Sequence, residues 1–326
     1  MLSVWEEHPR PLEIDAGEDV RAVTFTANDK YLVIAGAAGV QVWQSKDGER
    51  VATMQAKAAL RCVAVSEDGR FIAAGSNDGD VFVWNATNNY EQVFAAKIGG
   101  AIYDVDFSSD SSRLVSAASI AMVWDIAACR KVRTLDHGGL VFAAKYSPQG
   151  NRIATATRES VRFWDCDDGQ SLVDIKVELK PSIGLLWCDN HLFVKTYSKI
   201  KKITAAPGSS TISEWSVDDD SYSSSWIALP QHGKFIAHSA TNTITFWDPA
   251  AHTQFNTIRH TDSVRSIACS SDGQHLAIVG ERKIIVKVIS SIVFPSVSVR
   301  SVLSSIHIYY VSAIPGARTW YRQCCT

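Results

Sequence analysis

The chain has 326 residues, 46% hydrophobic and 20% charged, a balance that supports a large buried core and excludes wholesale disorder. A formal net charge of −2 provides no global attraction to nucleic acid or anionic lipid. Seven Cys, at 62, 129, 166, 188, 269, 324 and 325, show no CxxC spacing, which argues against a zinc or redox site or a disulfide framework and predicts free thiols in a reducing compartment.

The N-terminal "MLSVWEEHPR" has no apolar run of the signal-peptide kind, and no stretch reaches the ~18–20 apolar residues of a membrane helix. The expectation is a protein of the cytoplasm or nucleus with no membrane partner. "MLSVW" itself reads as the end of a Trp-bearing strand, so the chain is expected either to stand as a monomer or to belong to a longer chain or complex.

Taken in chain order, residues 10–16, "RPLEIDA", read as an outer strand set ahead of the first inner one, "VRAVTF". "GVQVWQ" (39–44) and "RVATMQ" (50–55) follow. Unit two runs "LRCVAV", turn "SEDGR" (66–70), "FIAAGS", "DVFVWN" (80–85); unit three runs "IYDVDF", "RLVSAAS", "AMVWDI" (121–126), "KVRTLD" (131–136). Unit four gives "VFAAKY", turn "SPQGNR" (147–152), "RIATAT" and "SVRFWD" (160–165). Unit five is degenerate, with "IGLLWCDNHLFVKT" and "KIKKIT" (199–204). "FIAHSA" and "TITFWD" (243–248) mark unit six; "VRSIAC", "SSDGQH" (270–275), "HLAIVG" and "KIIVKV" (283–288) mark unit seven. Period-2 runs of β-branched and aromatic residues between Gly, Asp, Ser and Asn turns are strand signals, and nothing reads as a sustained helix.

One position recurs through all seven units: Trp43, Trp84, Trp124, Trp164, Ile203, Trp247 and Lys287, spaced 39 to 44 residues apart. An isolated four-stranded sheet would expose two apolar faces, and stacking like sheets around an axis buries both. Four strands per unit at this period, with Trp closing the third strand, form a propeller-blade pattern. On these residues, with Trp-Asp pairs at 124–125, 164–165 and 247–248, the chain from about 10 to 290 resembles the WD40-repeat family. The degenerate fifth unit is loosely similar to fungal WD40 domains found in NTPase-linked proteins. The resemblance implies an all-β fold, a seven-bladed propeller of four-stranded antiparallel blades over residues 1–290. Residues 10–16 would supply the closing outer strand of the last blade, and 291–326 would be an irregular C-terminal tail, disordered or loosely docked. No acidic residue follows Glu281, so that tail also fits a segment not selected for this fold.

The resemblance further implies that Trp43, Trp84, Trp124, Trp164 and Trp247 are blade-packing residues, joined in many WD40 blades to a His, a Ser or Thr and an Asp by hydrogen bonds. The nearest His are His137 and His260; unit two offers Ser76 and Asp78 to Trp84. With most such sets incomplete, apolar stacking is expected to dominate stability.

No GxxxxGK[ST], HExxH or GxSxG motif occurs, and no His pairs at metal-ligand spacing, so no catalytic residue, metal or cofactor is assigned. Asp218-Asp219-Asp220 reads as a solvated connector, without the Gly and distal Glu of a calcium loop. The second residue of each first strand is Arg21, Arg61, Tyr103, Phe142 and Arg265 in five units, with Gly184 and Ser225 in the others. Gathered at one channel mouth, these residue types suit partner binding. The function expected is a non-catalytic scaffold for peptide or protein partners. Two alternatives are phosphopeptide or nucleic-acid recognition through the Arg positions, nucleic acid being disfavoured by charge, and an enzyme or small-ligand site in the channel near Asp104 and Asp106.

Overall fold

The computed structural model describes residues 10–177, 184–196, 198–206, 209–217, 226–231 and 233–289. "MLSVW", Asp218-Asp219-Asp220, Ser225 and the tail at 291–326 lie outside the described residues. Among the described residues, 28 strands form seven four-stranded antiparallel sheets and no helix, the seven-bladed propeller that the repeat predicts. Blades one to six each use four consecutive strands. Blade seven is Ser266–Cys269, His275–Val279, Lys283–Val288 and then Leu12–Asp15, in a register that sets Leu12 opposite Val286 and Asp15 opposite Lys283. First and last segments are thus hydrogen-bonded in one sheet, which removes a free edge from the ring.

Burial peaks on the second strands, since the first line the channel, and falls toward the rim. Second strands such as Tyr31–Gly36 and Phe71–Ser76 are buried nearly throughout, whereas fourth strands such as Arg50–Gln55 are mostly exposed. Small residues recur on the second strands (Ala35, Ala73, Ala74, Ala117, Ala154, Ala237, Ala277, all buried), where close-set blades leave little room near the axis.

Each Trp is the penultimate residue of its third strand and lies at a β-bulge. The register to the fourth strand shifts at Val42/Trp43, Val83/Trp84, Val123/Trp124, Phe163/Trp164 and Phe246/Trp247. Blade five, with Ile203 in the slot, pairs its third and fourth strands without a shift, and so does blade seven, with Lys287. In the five Trp blades the connecting turn carries left-handed residues, Gly48, Asn89 and Tyr90, Cys129, Gly169 and His252. A turn that ends in this conformation leaves one extra residue on the outgoing strand, and the bulge absorbs it.

The Trp side chains fill the seams between blades. Each packs against the preceding blade: Trp43 on Ala277 and Val286, Trp84 on Val33 and Val40, Trp124 on Val81 and Val83. Trp164 meets Val115 and Val123, and Trp247 meets Phe193 and Ile200. The residue just before each Trp points the other way, toward the following blade. It is Val in blades one to three (Val42, Val83, Val123), whose following blades bring a Trp. It is Phe in blades four and six, whose following blades bring Ile203 and Lys287 instead. Phe163 and Phe246 are both fully buried. A larger residue on one side of the seam therefore stands where the partner blade lacks its indole, which keeps seam volume nearly constant.

Candidate functional site

The first strands surround an axial cavity of about 1150 Å³, and Arg21, Arg61, Tyr103, Phe142 and Arg265 all line it. Two devices bring them there. Arg21 and Arg61 are the extra residues of bulges between Val20 and Ala22 and between Leu60 and Cys62, which turn their side chains out of the ladder. Tyr103, Phe142 and Arg265 immediately precede their first strands and donate their backbone N–H to the carbonyls of Ala117, Ala156 and Val279. Gly184 falls one residue further along than expected. Leu185 pairs with Val194, so Gly184 stands where Asp104 stands in blade three.

Blade order sorts these side chains by chemistry. Blades seven, one and two, adjacent around the ring, contribute Arg265, Arg21 and Arg61; blades three and four contribute Tyr103 and Phe142. Arg265 ion-pairs with Asp19 and lies 3.4 Å from Glu281, and Arg21 Nε reaches the same Asp19 at 3.4 Å. Arg61 donates to Asn77 Oδ1 at 3.2 Å and lies over the Tyr103 ring at 4.9 Å. Tyr103 meets Phe142 edge to face at 4.9 Å, and Arg158 covers Phe142 at 5.4 Å. A second cavity, of about 350 Å³, opens beside Phe142 and Arg158, with the half-exposed Leu140 in its wall.

Deeper in the channel lies a charged cluster. Lys145 Nζ in blade four is 2.9 Å from Asp104 Oδ1 and 3.6 Å from Asp106 Oδ1 in blade three. The same carboxylates accept the backbone N–H groups of Ala144 and Tyr146 at 3.2 and 2.8 Å. They satisfy the inner edge of a neighbouring blade, whose donors would otherwise go unpaired. Burial pushes the Asp106 carboxyl up to about 6, against the pull of Lys145. Burial alone would depress Lys145, but Asp104 and Asp106 override it and hold the ammonium above its ordinary value. Burial likewise pushes the neighbouring Cys62 thiol up to about 12, far from a reactive thiolate. Lys145 was not singled out from sequence, yet it is a lone cation in the apolar run "VFAAKY", forty residues after the acids of "IYDVDF".

Blade four holds a connected polar relay. Trp164 Nε1 donates to Thr155 Oγ1 at 2.7 Å; Thr155 Oγ1 contacts His137 Nδ1 at 2.9 Å, and His137 Nε2 contacts Ser160 Oγ at 2.9 Å. Ser160 in turn hydrogen-bonds Asp174. A carboxylate only accepts, so Ser160 gives its proton to Asp174 and takes the His137 Nε2–H, which leaves Nδ1 to accept the Thr155 hydroxyl. Trp124 donates to Ser116 at 2.8 Å, Trp43 to Gln41 at 3.0 Å and Trp247 to Thr245 at 2.9 Å. The pairing expected in unit two is corrected: the Ser76 hydroxyl accepts the N–H groups of Asp78 and Asp80, and Trp84 has no such bond to either side chain. His260 accepts the Asp262 N–H at 3.1 Å within its own turn. Burial, then Arg162, pushes His137 down to about 4 from its ordinary 6.5. The unfolded chain takes up this proton first, so His137 contributes a loss of stability as pH falls from about 6.5 to about 4. Thr155→Val, which strands both the indole N–H and the imidazole, is expected to lower unfolding free energy by about 1–3 kcal/mol in urea denaturation.

Among the described residues, no group of three or more His, Cys, Asp or Glu is placed to hold a metal, and no helix is long and apolar enough to cross a membrane.

The family described as Vps42 beta-propeller matches residues 18–194, more than half of the chain, and the WD domain, G-beta repeat, matches residues 253–286. The small ribosomal subunit protein RACK1y of Oryza sativa subsp. japonica is 28% identical over 120 residues, 36% of this chain and 36% of its own. Protein groucho of Drosophila melanogaster is 28% identical over 178 residues, 51% of this chain and 24% of its own. The chain thus spans well under half the length of these curated relatives. A solved structure of Kuenenia stuttgartiensis hydrazine synthase superimposes with a TM-score of 0.73 over 88% of this chain and 97% of that one, at 14% identity, a likeness of fold alone. Repeat pattern, seven-bladed ring and family matches agree, and the chain belongs to the WD40-type β-propeller family.

Proposed function

We propose that this propeller is a non-catalytic scaffold that binds peptide or protein partners at the channel mouth and its flanking loops, alone or as part of a larger chain or complex. The observation that carries the reading is the convergence of Arg265, Arg21 and Arg61 with Tyr103 and Phe142 at one end of the channel. Arg and large aromatics are the side chains that most often dominate binding energy at protein interfaces. RACK1y, by its name a component of the small ribosomal subunit, is a relative that works inside an assembly. Free cysteines at 62, 129, 166, 188 and 269 suit a reducing cytoplasmic or nuclear setting. The raised Asp106 favours a catalytic or small-ligand channel, but both its oxygens are engaged, by Lys145 and by the Tyr146 N–H.

A photo-crosslinking amino acid placed at 103 is expected to yield discrete protein adducts in cells. The same group at 51, on an exposed outer strand, should yield none. Adducts from 51 alone, or adducts at 103 that persist undiminished in an Arg21→Ala/Arg61→Ala/Arg265→Ala background, would overturn the reading.

A further inference from the structure

The geometry points to a specific chemistry for what the mouth binds: an acidic peptide segment in which two carboxylate side chains bracket one apolar side chain. This rests on the scaffold reading above and adds the class of partner.

Most cations at the mouth are already compensated. Arg265 and Arg21 share Asp19, Arg265 also faces Glu281, and Lys145 lies between Asp104 and Asp106. Two are not. Among the described residues, no carboxylate pairs with Arg61 or Arg158, whose neighbours are the Asn77 amide and the Tyr103 ring for one and the Phe142 ring for the other. The four side chains form a row, Arg61, Tyr103, Phe142, Arg158, with successive contacts of 4.9, 4.9 and 5.4 Å. A guanidinium over a ring face still presents N–H groups at its edge to a carboxylate; Arg61 uses one of its own on Asn77 and keeps the rest.

The row also sets a length. Its end groups are at most about 15 Å apart, the three contacts laid end to end, which an extended peptide spans in about four residues. Between the two anion positions lies the edge-to-face aromatic pair, and beside Phe142 the second cavity opens with Leu140 in its wall. An apolar side chain of the ligand would cover that surface while its acidic neighbours reach the two arginines. Phosphate fits less well, because a phosphate group needs several donors converging on one point, and here the two uncompensated guanidiniums are held apart by two rings.

The test uses the full chain and fluorescein-labelled hexapeptides with Asp or Glu on either side of a Phe, Leu or Trp. Their Asn/Gln counterparts, phosphoserine counterparts and a poly-dT oligonucleotide are the comparisons, with binding read by fluorescence anisotropy. The acidic set is expected to bind at least about tenfold tighter than the amide set and to weaken when salt rises from about 50 to about 300 mM. Arg61→Gln/Arg158→Gln should abolish that preference, whereas Arg21→Gln/Arg265→Gln should weaken acidic-peptide binding by no more than about twofold, since those arginines are already paired. Circular dichroism and thermal melting establish that both variants fold. Equal binding of acidic and amide peptides, tighter binding of the phosphopeptides or the oligonucleotide, or unchanged binding by Arg61→Gln/Arg158→Gln would overturn the proposal. If position 103 crosslinks to proteins while the acidic peptides fail, this inference falls and the scaffold reading stands.

Discussion

Lys145→Met is expected to lower the unfolding free energy by about 3 kcal/mol at neutral pH, because it leaves two carboxylates near each other inside the channel with no cation. Asp104 and Asp106 are each about a quarter exposed or less, and the methionine fills most of the lysine's volume, so the loss is electrostatic in origin. The pH dependence identifies the cause. The Asp106 carboxyl already lies raised, at about 6 against an ordinary 3.8, through burial and through Asp104. Removing Lys145 raises it further, so the folded variant holds its proton at a pH where the unfolded chain has lost it. Stability from a raised carboxyl is present at low pH and is lost as pH rises through the folded value. The variant's deficit relative to wild type should therefore be small near pH 4–5 and largest near pH 8 in urea unfolding. Adding Asp104→Asn and Asp106→Asn should restore most of the loss, since the amide oxygens still accept the Ala144 and Tyr146 N–H groups without charge. A deficit that grows toward acid pH, or none at neutral pH, would show that the cluster does not work as a charge-balanced clamp between blades three and four.

The repeat was legible because a blade is a local unit. Its four strands, its turns and its Trp all lie within one period, and pairing of consecutive strands needs no long-range information. The recurrent position near the start of the first strands was legible for the same reason, and in five blades the structure brings its side chain, Arg21, Arg61, Tyr103, Phe142 or Arg265, to one cavity. What escaped lay between periods or off the strand pattern. Lys145 meets Asp104 only because blades three and four abut; Arg158, though in the same blade as Phe142, escaped because it lies in a turn. Ser76 misled because a Ser two residues before an Asp serves equally as a turn residue that accepts backbone N–H groups, the role it takes here. His137 lies 18 and 23 residues from Thr155 and Ser160 in sequence, and the blade geometry alone brings it to them.

The same period-to-period relation predicts a compensating pair of substitutions. Phe163→Ala is expected to destabilise by about 3–5 kcal/mol, since this fully buried ring fills the seam between blades four and five beside Leu185, Leu192 and Ile203. Phe163→Val should cost about half of that, because valine, the residue in the matching position of blades one to three, keeps part of the ring's volume. There the opposing blade supplies an indole, and here it supplies Ile203. Ile203→Trp alone should also destabilise, by about 1–3 kcal/mol, as an indole forced against Phe163 overpacks the seam. Phe163→Val and Ile203→Trp combined rebuild the arrangement of the seams that follow blades one to three. The double variant should be at least about 1–2 kcal/mol more stable than the sum of the single effects implies, a coupling expected only for side chains that share one space. Phe246 and Lys287 offer the same cycle at the seam between blades six and seven, where Phe246 is fully buried against Leu276 and Ile278. Additive losses at both seams would mean that Val-before-Trp and Phe-before-gap arose independently; favourable coupling at both would show that neighbouring repeats of this propeller specify each other's packing.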